Sequence, residues 1–318
     1  MPKTAAYCAL EERLGADNVI VLDAGVATEI ESRGVPMTNE IWAARSALDH
    51  FEAVVETHLA YIAAGADIIT ANTYATSRLV LAPKGLEHLT RDINTRSLEA
   101  ALTARERAGR PDVLIAGSIS HFIAIPTGAE VQPNTDELGA DEMLSAFTEM
   151  REFQEAAGVD VILLEMMALP RRMTEIFKAV GAGTTPAWCG YSVLASDDGR
   201  TLTGRHDTTI PFSDLVTLGT EAGFPVHGVL HSPAEIISDS LSAIREQFAG
   251  PMMAYPDSGF FKSPNWQFVD VMSPADLAGF SKTWIGLGAQ VIGGCCGLGP
   301  DHTRAQRTLA DEVNASGL

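Results

Sequence analysis

A chain of 318 residues, 46% hydrophobic and 20% charged, has apolar surface for one large core, and no uncharged apolar run reaches the roughly 18 residues that a membrane span needs. A formal net charge of -19 repels phosphate backbones, and no Lys/Arg cluster offsets it locally, which sets nucleic acid aside as a partner. Four cysteines, two of them adjacent, are too few for a disulfide framework, and Glu11 and Glu12 interrupt the start before a signal-peptide core can form, so the expected location is cytoplasmic.

In chain order, eight short runs rich in β-branched residues alternate with amphipathic helical stretches. They are Val19 to Gly25, Ala66 to Tyr74, Val113 to Ser120, Val159 to Met166, Ala187 to Leu194, Val226 to Ser232, Met252 to Gly259 and Ala289 to Gly297. Near-continuous apolar strands separated by helices indicate a parallel sheet covered on its outer side. A weak repeat supports this: AGADII at Ala64 to Ile69, AGVDVI at Ala157 to Ile162 and LGAQVI at Leu287 to Ile292 each place a glycine where a helix ends and a strand begins. Glycine suits that place because it adopts the left-handed conformation of a helix C-terminus. The alternative is an open doubly wound sheet, which carries a Gly-rich phosphate loop after its first strand, and no G-x-G-x-x-G stands there. Residues 1–318 are therefore expected to form a single (β/α)8 TIM-barrel domain.

Catalytic groups of such a barrel sit at the C-terminal ends of its strands. Those ends read Asp23, Asn72 with Tyr74, Ser118, Glu165, Ser192, His231, Asp257 with Ser258, and Cys295 with Cys296. The GGCCG turn at Gly293 to Gly297 is the sharpest element: two thiolates on one bend reach a single zinc ion at about 2.3 Å where flanking glycines let the backbone turn tightly. The bland reading is two small buried residues in a Gly-rich turn. A third ligand must come from another strand end. His231, closing strand six, is the natural candidate, with His121 after strand three and His227 early in strand six competing, the last nearer the middle or bottom of the barrel. Three protein ligands leave a fourth position open for a substrate thiol, which zinc would deliver as thiolate to an activated methyl group. Asp23 and Glu165, at the same rim, suit the α-amino group of an amino-acid substrate, or else cap a loop or pair with an arginine.

These residues resemble the homocysteine S-methyltransferase family, through LDAGVATEIESRG, HLAYIAAGADIITANTY, AGSIS, GVDVILLEM, YPDSG and GGCCGLGPDH, from about Asp23 to His302. The resemblance implies the barrel, a zinc ion held by three cysteines of which Cys295 and Cys296 are two, and homocysteine bound near Asp23 and Glu165. The chain departs from the pattern at the rim. Where the family has G-V-N-C-x-x-P, it reads Gly228-Val229-Leu230-His231-Ser232-Pro233, so histidine stands in place of the remaining zinc cysteine. The family's D-G-G, E-T and Y-P-N-S-G become Asp23-Ala24-Gly25, Glu165-Met166 and Tyr255-Pro256-Asp257-Ser258-Gly259.

The expected function is zinc-dependent transfer of a methyl group from a free small sulfonium or ammonium donor to a thiol acceptor, homocysteine or a relative. The short tail after strand eight favours a sulfonium such as S-methylmethionine or S-adenosylmethionine over the betaine-dependent branch. The rivals are a zinc hydrolase or lyase on the same barrel, with water at the open position, and a non-catalytic zinc- or ligand-binding barrel.

Overall fold

A computed structural model describes residues 3–38, 41–123, 138–196, 199, 201–262 and 265–316. Its main sheet has eight parallel strands: β1 (Ile20–Val21), β2 (Ile68–Thr70), β3 (Leu114–Ser120), β4 (Val161–Met167), β5 (Ala187–Tyr191), β6 (His227–Pro233), β7 (Met252–Asp257) and β8 (Ala289–Ile292). Each from β2 onward pairs with its successor, and β8 returns to pair with β1. A single bridge, Leu22 to Ile68, closes β1 on β2, where the Asp67 carboxylate also accepts from the Val21 amide at 2.8 Å. The expected (β/α)8 barrel is what forms.

Helices follow the strands in turn, from Phe51–Ala64 after β1 to Pro300–Ser316 after β8. The strand residues alternate between two apolar surroundings, as period-2 geometry requires. Leu22, Leu163, Met253 and Tyr255 fill the barrel interior, while Ile162, Leu164 and Ala254 pack outward against the helices. The repeated glycines behave as expected: Gly65, Gly158 and Gly288 sit at φ of 99°, 78° and 94°.

One helix had no counterpart in the strand pattern. Ala5–Gly15 sends Tyr7, Leu10 and Leu14 into the interior cluster, and Tyr7 accepts a 3.1 Å hydrogen bond from Trp188 Nε1 near the start of β5. This helix covers the N-terminal opening, leaving the other end for chemistry.

The fifth run also divides. β5 stops at Tyr191, because Ser192 Oγ donates to the Leu230 carbonyl and Ser232 Oγ takes the Val193 amide, so side chains replace the ladder. The chain then turns out into an antiparallel sheet of Val193–Ala195, Leu202–Gly204 and Asp207–Pro211, which overhangs the C-terminal mouth. A hairpin of Phe260–Lys262 and Asn265–Gln267 rises after β7.

Candidate active site

β8 ends at Ile292 and the GGCCG segment leaves the ladder as a turn. It is tied to the end of β7, with the Cys295 amide donating to the Pro256 carbonyl at 2.6 Å and the Ser258 amide donating to the Cys296 carbonyl at 2.9 Å. Gly297 adopts φ +80°, and a Cβ there would lie 1.9 Å from the Ser258 carbonyl oxygen, so backbone approaches backbone too closely for any side chain. The two thiols are thereby turned toward the mouth, with Sγ atoms 3.8 Å apart.

His231 reaches the same place from β6. Its Nδ1 lies 2.9 Å from Cys295 Sγ, and its Nε2 lies 2.7 Å from Glu165 Oε2 on β4. His231, Cys295 and Cys296 each offer a ligand atom within 4.8 Å of the others. The two strand-end residues that frame the contact are both in the left-handed region, His231 at φ 49° and Met166 at φ 60°. Such backbone costs energy in non-glycine residues and persists where surrounding contacts fix it.

The electrostatics suit a soft cation. Cys296 is lowered to about 6, chiefly by the hydrogen bond from the Cys295 thiol, with His231 helping against burial. Burial pushes Cys295 well above the usual thiol range. Burial also works against charge on His231, yet hydrogen bonding to Cys296 and to Glu165 outweighs it and raises the imidazole to about 9. The lowered Cys296 favours the thiolate, the form in which cysteine binds metal.

The other expected residues fall around this cluster in different roles. Asp23 is fully buried beneath the mouth, its oxygens taking the Thr70 amide at 2.6 Å and the Thr70 hydroxyl at 2.9 Å. Burial raises it to about 7 against those bonds. Glu165, Asn72, Tyr74 and Asp257 line the cavity itself, whereas Ser118 and Ser192 are packed into the fold. His121 lies outside the cluster, its Nε2 accepting from the Ala168 amide at 3.2 Å. His227 is at the beginning of β6, its ring between the Tyr191 hydroxyl at 2.8 Å and the Phe224 carbonyl at 3.1 Å. Of the three histidines considered as third ligand, His231 alone stands with the thiols.

Above the cluster opens a cavity of about 380 Å³. Its walls include Trp42, Phe122, Phe261 and Trp266, with Trp42 and Phe261 ring centroids 5.2 Å apart, and Arg205 and His206 from the overhanging sheet. Sequence reasoning named none of these. They come from loops and short hairpins distant in sequence, and a lone aromatic or arginine in a loop carries no periodicity to read.

A (β/α)8 barrel whose C-terminal mouth joins two thiols and an imidazole beneath an aromatic-walled cavity defines the class: a TIM-barrel enzyme built around a soft-donor site. The homocysteine S-methyltransferase family matches residues 20–310, and the chain belongs to that family. The expectation of an S-methyltransferase is borne out at that level. Among similar proteins, homocysteine S-methyltransferase 2 of Zea mays is 27% identical, with 94% of this chain and 92% of that protein covered. Homocysteine S-methyltransferase YbgG of Bacillus subtilis is 28% identical, over 89% of this chain and 92% of its own. The homocysteine methyltransferase MmuM of Escherichia coli in its metallated form is similar in fold, with a TM-score of 0.75 and 23% identity over 95% of this chain and 99% of that one. Among the described residues, no helix is long and apolar enough to cross a membrane.

Proposed function

We propose that this barrel transfers a methyl group from a small cationic donor to a thiol acceptor, homocysteine or a closely related thiol, with zinc held by His231, Cys295 and Cys296. The observation that carries the reading is the convergence of two thiols and one imidazole within 4.8 Å at the mouth of an aromatic-walled cavity. Two sulfurs and a nitrogen, one sulfur favoured as thiolate, form a donor set that suits zinc and leaves its fourth position for substrate. A zinc ion held by His231, Cys295 and Cys296 would lower the pKa of an incoming thiol and favour its thiolate at neutral pH.

The protein's own side chains do the rest. Glu165 faces the cavity with Oε2 on His231, and among the described residues its Oε1 has no hydrogen-bond partner, which leaves that oxygen for the ammonium of an amino-acid acceptor. Asp23 fixes Thr70 and approaches Tyr255 Oη at 3.4 Å, two residues that line the floor, and a substrate ammonium nearby would pull its raised pKa back down. Aromatic faces at Trp42, Tyr74, Phe122 and Trp266 suit a sulfonium or quaternary ammonium, which the net charge of -19 also attracts. With acceptor sulfur and donor methyl in line, the new S–CH3 bond forms as the donor's breaks. A sulfonium donor leaves as a neutral thioether, so no charge is stranded on it. The thiol sets the compartment as well: the reading places the enzyme in reducing cytoplasm, where a vicinal pair stays available to metal.

The test is a matrix of methyl donors (S-methylmethionine, S-adenosylmethionine, betaine) against thiol acceptors (homocysteine, cysteine, selenocysteine), read by methylated product. Transfer to at least one thiol that disappears on zinc removal and returns on its addition is expected. No methylated thiol from any zinc-loaded combination would sink the proposal.

A further inference from the structure

Histidine differs from cysteine as a ligand in one respect that the structure makes visible. A thiolate sulfur has no tautomers, whereas an imidazole presents its lone pair on Nδ1 or Nε2 according to where its proton sits. At residue 231 that choice is made from outside the ligand trio. Nε2 points at the Glu165 carboxylate at 2.7 Å, and a carboxylate only accepts, so Nε2 is the nitrogen that keeps its proton when Nδ1, 2.9 Å from Cys295 Sγ, gives its own up to a metal. The two side chains are 13% and 7% exposed, so water competes little for either end of the bond. They come from β6 and β4, two strands that do not pair with each other, and His231 and Met166, the residue after Glu165, both have left-handed backbone.

Resting on the metal site proposed above, we infer that Glu165 is a positioning residue for that site: it fixes His231 in the Nε2-protonated tautomer, so that Nδ1 is the metal-ligating nitrogen. The carboxylate also returns, through the imidazole, part of the negative charge that a histidine in place of a thiolate removes, which raises the basicity of the ligand. One carboxylate then serves two partners, His231 through Oε2 and the substrate through Oε1.

Zinc affinity measured by competition with a chromophoric chelator tests this without reference to turnover. Glu165→Ala is expected to weaken zinc by about tenfold to a hundredfold, the usual consequence of removing such a partner. Glu165→Gln should recover part of the loss, because its amide oxygen still accepts from Nε2. In a His231→Cys background the dependence should vanish, since cysteine has no second nitrogen to orient. With cobalt as a visible probe, Glu165→Ala should shift the d–d bands in the histidine protein and leave them in place in the cysteine protein. Equal zinc affinity in the parent and in Glu165→Ala, or an equal loss in both backgrounds, overturns the inference while leaving the metal site intact. If the His231→Cys chain does not fold, the parent, alanine and glutamine proteins decide the matter. A parent protein that takes up no zinc brings down the site and the inference together.

Discussion

Arg205 reaches from the overhanging antiparallel sheet to Asp257 at the end of β7, Nη1 to Oδ2 at 3.0 Å, and the same guanidinium donates to the carbonyl oxygen of His231. One side chain therefore ties the sheet after β5 to the ends of β6 and β7, and it does so beside the left-handed backbone of a ligand residue. Arg205→Met should strand Asp257 at 11% exposure and release the His231 carbonyl. The expected loss is about 1–2 kcal/mol of transition-state binding, roughly tenfold in kcat/KM, with a smaller change in melting temperature. Steady-state kinetics beside thermal unfolding would show it, and unchanged kcat/KM would make the pair a surface contact only.

Cys295→Ser with Cys296→Ser removes both sulfurs from one turn while preserving its glycines. The parent should carry about one zinc per chain and the double variant close to none, read by elemental analysis after exhaustive dialysis. Stoichiometric zinc in the double variant would place the metal elsewhere.

His231→Ala should lower zinc occupancy and abolish methyl transfer, while His231→Cys should retain the metal on three thiolates. A three-thiolate site is richer in negative charge, so homocysteine methylation is expected to rise in the cysteine variant if the pocket otherwise admits that acceptor. Full occupancy and full activity in the alanine variant would show His231 to be a bystander.

Acid should unfold this protein through its interior histidines. Burial lowers His58 to about 4, and its two ring nitrogens find no partner. Because the folded pKa lies below the unfolded value near 6.5, the unfolded chain binds the proton first. The stability contribution is whole above pH 6.5 and is lost as pH falls toward 4, amounting to about 3 kcal/mol for this residue once both states are protonated. His206, lowered to about 3, acts in the same direction for the same first cause. His58→Met should flatten the fall in melting temperature between pH 7 and 4.5, and an identical pH profile for the two proteins would contradict the assignment.

The barrel was legible because its signal is repeated: an apolar run, a helix and a glycine recur, and a misjudged boundary in one unit does not disturb the others. Ladder lengths were less so. The run Ala289 to Gly297 contributes only Ala289–Ile292 to the sheet, because from Gly293 onward the chain turns, bonding to Ala254 and Pro256 of β7 and to the Asp23 carbonyl. The thiol pair and His231 were readable as types at strand ends. The Glu165–His231 bond was not, because it joins residues 66 apart and depends on two backbone conformations no pattern announces. Arg205, Trp42, Phe261 and Trp266 were invisible for a related reason: the strands and loops that present them are too short to show a period.

β1 offers two residue pairs to β8 and one bridge to β2, against five pairs between β6 and β7. The join at β1 is therefore the more sparsely paired of the two, and hydrogen exchange at the amides of Leu22 and Asp23 is expected to be faster than at the paired amides of β6 and β7. Asp67, braced by Arg13 at 2.9 Å and Arg307 at 3.0 Å, pins the lower end of that strand, while the upper end is held by the Asp23 amide on the Ile68 carbonyl at 3.0 Å. The upper end is Asp23, and Asp23 carries Thr70 with it. Asp23 thus joins the most sparsely paired seam of the wall to Thr70, a residue that lines the cavity, so a change at that seam would be felt at the cavity floor.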